Sequence, residues 1–127
     1  MGSDVSGAES LTLEEDVLWR ALVDWVSDSE VMVVARRSRI EDELMIRDLS
    51  MGLIAQMLVR GLVVAGGIGR DGFEQWECST AEAIERIVRD WTNAPAPQVR
   101  LGEVVWLAAT PAGEAIGEEV CKREGWC

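Results

Sequence analysis

Residues 64–73 read VAGGIGRDGF. Within them Gly67-Ile68-Gly69-Arg70-Asp71-Gly72 spells G-x-G-x-x-G, and the apolar run Leu62-Val63-Val64-Ala65 stands just before. A strand followed by that pattern is the fingerprint of dinucleotide binding, provided the glycines open a helix whose free amides meet the pyrophosphate. Here Phe73-Glu74-Gln75-Trp76-Glu77-Cys78 follows, and the next helix cap is Ser79. The strand comes after two or three helices instead of opening a βαβ unit. Asp90, at a suitable distance for a ribose-binding acid, falls on the polar face of a helix. No Gly-Lys-Ser/Thr completes a phosphate loop. The Asp71-Gly72 pair is hairpin material. The stretch is therefore read as a turn that folds Leu62–Gly66 back on Phe73–Glu77, and no cofactor is expected.

Local patterns place the other elements around this hairpin. Thr12-Leu13-Glu14-Glu15 is a capping box, so a first helix is predicted over 13–26 with Leu18, Leu22 and Trp25 on its buried face. Asp16, Arg20 and Asp24 line its opposite side at i, i+4 spacing. Ser27-Asp28-Ser29 breaks it. The run 30–37 has the β-branched content of a strand, but its Ser29 cap and its place between helices favour a short helix. A third helix is predicted over 41–60, ended by Gly61, with Gly52 weakening it or admitting a close neighbour. Ser79-Thr80-Ala81-Glu82 is a second capping box, and Ile84, Ile87, Val88 and Trp91 follow at helical spacing. Val104–Ala109 reads as a buried strand. Thr110 and Pro111 then open a last helix to about Val120.

The chain has 127 residues, enough for one compact domain over 11–120, with residues 1–10 as a disordered lead and 121–127 as a tail. The lead lacks the basic and apolar regions of a signal peptide, and no apolar run is long enough to span a membrane, so the expected location is the cytoplasm. Histidine is absent, which removes Ser-His and Cys-His nucleophiles and the commonest metal ligand. With three cysteines and no C-x-x-C, no zinc site is expected; Cys121 and Cys127 are read as exposed thiols without a role, able to pair on oxidation. The acidic pairs Glu14-Glu15, Glu41-Asp42-Glu43 and Glu118-Glu119 single out no catalytic centre, and the chain is expected not to be an enzyme. Its net charge of −11 disfavours nucleic acid and anionic membranes and favours a basic protein partner.

Two short sequences resemble the winged-helix family. Leu58-Val59-Arg60-Gly61-Leu62-Val63 looks like the end of a recognition helix entering the first wing strand. Val105-Trp106-Leu107-Ala108-Ala109-Thr110-Pro111-Ala112-Gly113 is similar to the last wing strand and following helix of winged-helix regulators. The resemblance covers about residues 12–120 and implies an α+β, winged-helix-like fold, its helices packed on a small antiparallel sheet. It also implies DNA contacts from the N-terminal half of the third helix. The chain departs from the pattern in two ways. An entire helix lies between Val63 and Val105, in the wing. The helix in the place of the recognition helix also begins with Glu41-Asp42-Glu43, which would face a polyanion.

The favoured expectation is therefore a non-enzymatic interaction module, of the kind that serves as an inhibitor, antitoxin or immunity protein, covering a basic partner with Glu41, Asp42, Glu43, Phe73 and Trp76. The alternative is a DNA-binding regulator using Arg36, Arg37, Arg39 and, at the hairpin tip, Arg70. For the arginines at 36–39 the competing reading is local pairing with Glu41, Asp42 and Glu43. For Phe73 and Trp76 it is a covering role over the core. Trp25, Trp91 and Trp106 are assigned to the core. Trp19, at the edge of the first helix, is a candidate homodimer contact.

Overall fold

A computed structural model describes residues 11–127; the predicted lead lies outside the described residues. Helix α1 spans Leu13–Val23, and its Thr12/Glu15 capping box forms as the sequence predicts. It ends three residues early, because Asp24 turns fully extended and sends the chain into strand β1, Val26–Ser27. Val26 is thereby buried in the sheet, whereas Trp25 leaves the stripe it was assigned to and stays 42% exposed. Asp16 is not on a solvated face either: it is buried between two arginines.

The ambiguous run is helical. Helix α2 covers Asp28–Ala35 and is capped by Ser27, whose hydroxyl accepts the Glu30 N–H, so the cap lies two residues before the expected Ser29. A short 3-10 turn, Arg36–Ser38, leads to α3, Glu43–Val59, capped by Asp42. Val31, Met32 and Val34 of α2 and Ile46, Ile54 and Met57 of α3 are fully buried, which fixes these two helices against one another. Gly52 admits no close neighbour: a Cβ there would meet nothing within 4 Å. The close approaches belong to the last helix, where side chains at Gly113 and Gly117 would overlap the backbone of Leu62 and Leu18.

Strand β2, Val63–Gly69, is longer than predicted and does two jobs. Its first half, Val63–Gly66, pairs antiparallel with β4, Trp106–Ala109. Its glycine-rich second half pairs with β3, Gly72–Gln75, in the register Gly66↔Gln75 to Gly69↔Gly72. The hairpin is real, but its pairing is shifted: Gly66 faces Gln75 and the Ala65 carbonyl accepts the Trp76 N–H, while the other edge of Val63–Gly66 pairs with β4. The glycines that imitate a nucleotide cradle are strand residues, and the turn is Arg70-Asp71 alone. The sheet runs β1-β4-β2-β3, antiparallel at every pairing. Helix α4, Thr80–Thr92, carries the second capping box as predicted. Its Trp91 is fully buried and donates its indole N–H to the Pro97 carbonyl at 2.9 Å.

Helix α5, Pro111–Glu124, is capped by Thr110 and runs past its expected end at Val120. It packs along α1 through the glycine face, and Cys121, buried there, is joined to Cys127 in a disulfide. Those cysteines are therefore not two exposed thiols. Cys78 is exposed and free. The chain is thus α+β, five helices about a four-stranded antiparallel sheet among the described residues. No described helix is long and apolar enough to cross a membrane.

Candidate functional site

Two of the three arginines at 36–39 are built into the fold. Arg36 holds Glu43 through two hydrogen bonds, at 2.5 and 2.9 Å. This contact keeps the Glu43 carboxyl below its ordinary range and the guanidinium charged. Arg37 reaches back to α1, donating to Asp16 at 3.1 Å and to the Leu11 carbonyl at 2.6 Å. Local pairing therefore holds for Arg36. The partner of Arg37 is Asp16, which no nearest-neighbour argument names. Arg39 is exposed and left-handed, at φ 68°. Arg70, on the hairpin turn, is exposed as well.

The three acids that open α3 have three different situations. Asp42 accepts the N–H groups of Leu44 and Met45 as the helix cap. Glu43 is held by Arg36, and Glu41 is exposed. Directly after them Leu44 and Met45 are 51% and 54% exposed, so the first turn of α3 offers acidic and apolar groups side by side.

Phe73 and Trp76 do not share one patch. Three positions apart on extended chain, they point to opposite faces of the hairpin. Phe73 packs on Trp25, ring centroids 6.1 Å apart, while Trp76 packs against the core with the Arg86 guanidinium 3.8 Å over its ring. The covering role thus fits Trp76.

A second surface was not foreseen. Trp19, Trp25 and Trp106 line an open groove of about 510 Å³ between the end of α1, strand β4 and the loop before it. The core assignment fails for Trp25 and Trp106, and the half-buried Trp106 faces this groove. Trp19 also touches Trp126 of the tail, centroids 5.0 Å apart. The unusual tryptophan content was a signal. Its clustering on one face depends on where α1 stops.

Asp28 is the buried anchor behind the groove. Fully buried, it accepts backbone N–H groups from Ser29, Gly102, Val104 and Val105 at 2.6–3.2 Å. Its ordinary reading as a helix-breaking aspartate concealed this. Burial outweighs those donors and raises its carboxyl above the ordinary value. Among the described residues no three of His, Cys, Asp and Glu gather as a metal ion would require.

Comparison of the chain with family models, with curated proteins and with solved structures finds no match.

Proposed function

We propose that this chain is a non-enzymatic, acidic interaction module that covers a basic protein partner, in the manner of an inhibitor, antitoxin or immunity protein. The observation that carries the reading is the first turn of α3. There Glu41, Asp42 and Glu43 stand beside exposed Leu44 and Met45, an acidic rim with an apolar centre. The net charge of −11 would steer a cationic surface toward it. Phe73, in contact with Trp25, remains a candidate contact; Trp76 belongs to it only through its exposed edge. The cytoplasm is the proposed place of action.

The test is binding to a panel of basic proteins that includes the products of the flanking genes, at low and high salt. Affinity that falls with salt, and falls further in Glu41→Gln/Asp42→Asn/Glu43→Gln, supports the reading. Absence of salt-sensitive binding to every member sinks it.

The second reading is a winged-helix DNA-binding regulator. What favours it is the arrangement of α2, α3 and the β1-β4-β2 strands, with β3 and α4 inserted between β2 and β4. What opposes it is that Arg36 and Arg37 are committed to carboxylates, leaving Arg39 and Arg70 outward. A mobility shift on duplex DNA at low salt decides it, since even weak phosphate contacts register there. A homodimer through Trp19 is an outcome that sedimentation of the free protein reads directly.

A further inference from the structure

We infer that the tryptophan groove is a seat for an arginine side chain presented by a basic protein segment, an inference that rests on the reading of the chain as an acidic interaction module. Two indoles of the groove are held in place from behind. Trp25 lies on the hairpin at Gly72, where a Cβ would come within 3.1 Å of its ring, and a side chain at Gly102 would overlap the Trp106 indole. Both glycines have positive φ, 112° and 71°, so each position disfavours a side chain by conformation, and Gly102 excludes one by space as well. Rings positioned in advance lose little freedom when a ligand arrives.

The occupant follows from the chemistry of the walls. Indole faces attract cations, and the flat guanidinium of arginine stacks on them better than a lysine ammonium does. Val23 and Leu101, 70% and 68% exposed, offer apolar cover for the methylene stem. Asp24 supplies the uncompensated negative charge at the rim, the Glu30 carboxylate being paired with Arg20. The one cation among the described residues that line the groove, Arg20, is already engaged by Asp16 at 2.9 Å and Glu30 at 3.3 Å. Asp24 has no ion pair among the described residues; its carboxylate accepts one hydrogen bond there, from the Trp25 N–H. It is therefore available to an incoming guanidinium.

The experiment titrates the full chain with a nine-residue peptide of alternating arginine and glycine, with its lysine counterpart, and with the basic-protein panel above. Binding is read by tryptophan fluorescence and calorimetry. The arginine peptide is expected to bind several-fold more tightly than the lysine peptide. Trp25→Ala and Leu101→Lys should each weaken it by about tenfold. Leu101→Lys adds a repelling charge at a side chain that supports no core, so it reads the groove even where Trp25→Ala disturbs the hairpin. Neutralising Glu41, Asp42 and Glu43 should leave peptide binding nearly unchanged. If the groove variants bind the arginine peptide like wild type, or wild type does not bind it while basic proteins still bind, the arginine seat is overturned and the acidic module stands. If neither peptide nor protein binds, both fall. A concentration-dependent dimer abolished by Leu101→Lys would assign the groove to a second copy of the chain and also overturn the seat.

Discussion

Asp28 accepts the backbone N–H of Val104 at 2.6 Å across a separation of 76 positions, and in doing so ties the start of α2 to the segment that leads into β4, an interior strand of the sheet. The same carboxylate takes the N–H groups of Gly102 and Val105, so one side chain organises the loop that carries Leu101 and orients Trp106.

Asp28→Asn should therefore destabilise the chain by about 1–3 kcal/mol, because the amide replaces one accepting oxygen with a donor facing other donors. The pH dependence has a definite sign. Burial raises the folded carboxyl above its unfolded value. Between the two values the folded chain holds the extra proton, so the stability from this group is largest below the interval and declines as pH rises through it. Urea unfolding of wild type and Asp28→Asn across the acid range reads this. The wild-type advantage should shrink with rising pH over that interval, and an advantage that grows there contradicts the assignment.

The two kinds of glycine in the helices make opposite predictions. Gly52 of α3 faces open space, so Gly52→Ala should stabilise by up to about 1 kcal/mol through helix propensity. Gly113 of α5 lies against the Leu62 carbonyl, so Gly113→Ala should destabilise by about 1–3 kcal/mol despite the same gain in propensity. Thermal melts of the two variants separate the effects, and equal shifts would remove the close helix–strand contact.

Legibility in the sequence followed the range of the interaction. The capping boxes at Thr12 and Ser79, the Thr110-Pro111 start and the buried Trp91 depend on a few neighbouring residues, and each forms as read. The hairpin was legible from Asp71-Gly72, but its register was not: the tight Arg70-Asp71 turn extends β2 to Gly69 and sets Gly66 opposite Gln75, while β4 pairs along the other edge of β2 from a point far along the chain. Trp25 continued the periodicity of Leu18 and Leu22, yet the pull of Val26 into the sheet ended the helix first. Arg37 with Asp16, and Asp28 with Val104, are pairings between distant segments that no local spacing encodes. The tryptophan groove assembles from three such segments, which is why its members were individually conspicuous and collectively invisible.

The arginine cluster yields a prediction that separates structure from recognition. Arg37→Ala removes a partner of the buried Asp16 and the donor to the Leu11 carbonyl, and should cost about 1–3 kcal/mol in urea unfolding. Arg39 occupies a left-handed conformation that glycine adopts freely, so Arg39→Gly should stabilise by about 1 kcal/mol. If Arg39→Gly destabilises instead, its side chain has a structural role that its exposure does not show.

The tail supplies the last prediction. Cys121 is held in the α1–α5 interface, and the disulfide to Cys127 closes a short loop that contains Trp126. Trp126 also donates its backbone N–H to the Cys121 carbonyl at 2.8 Å, and its ring rests on Trp19, a wall of the groove. Closing so short a loop is worth about 2 kcal/mol in the chain-entropy account, so Cys127→Ser should lower stability by about that amount or less. Its more specific consequence is optical. Freed of its covalent tie, Trp126 should spend less time on Trp19, and the emission of both indoles should move toward that of solvated tryptophan. Thiol reductant added to wild type should reproduce the change and have no effect on Cys127→Ser. An emission spectrum that ignores both treatments would mean that the Trp19 contact and the hydrogen bond to Cys121 hold the tail without the disulfide.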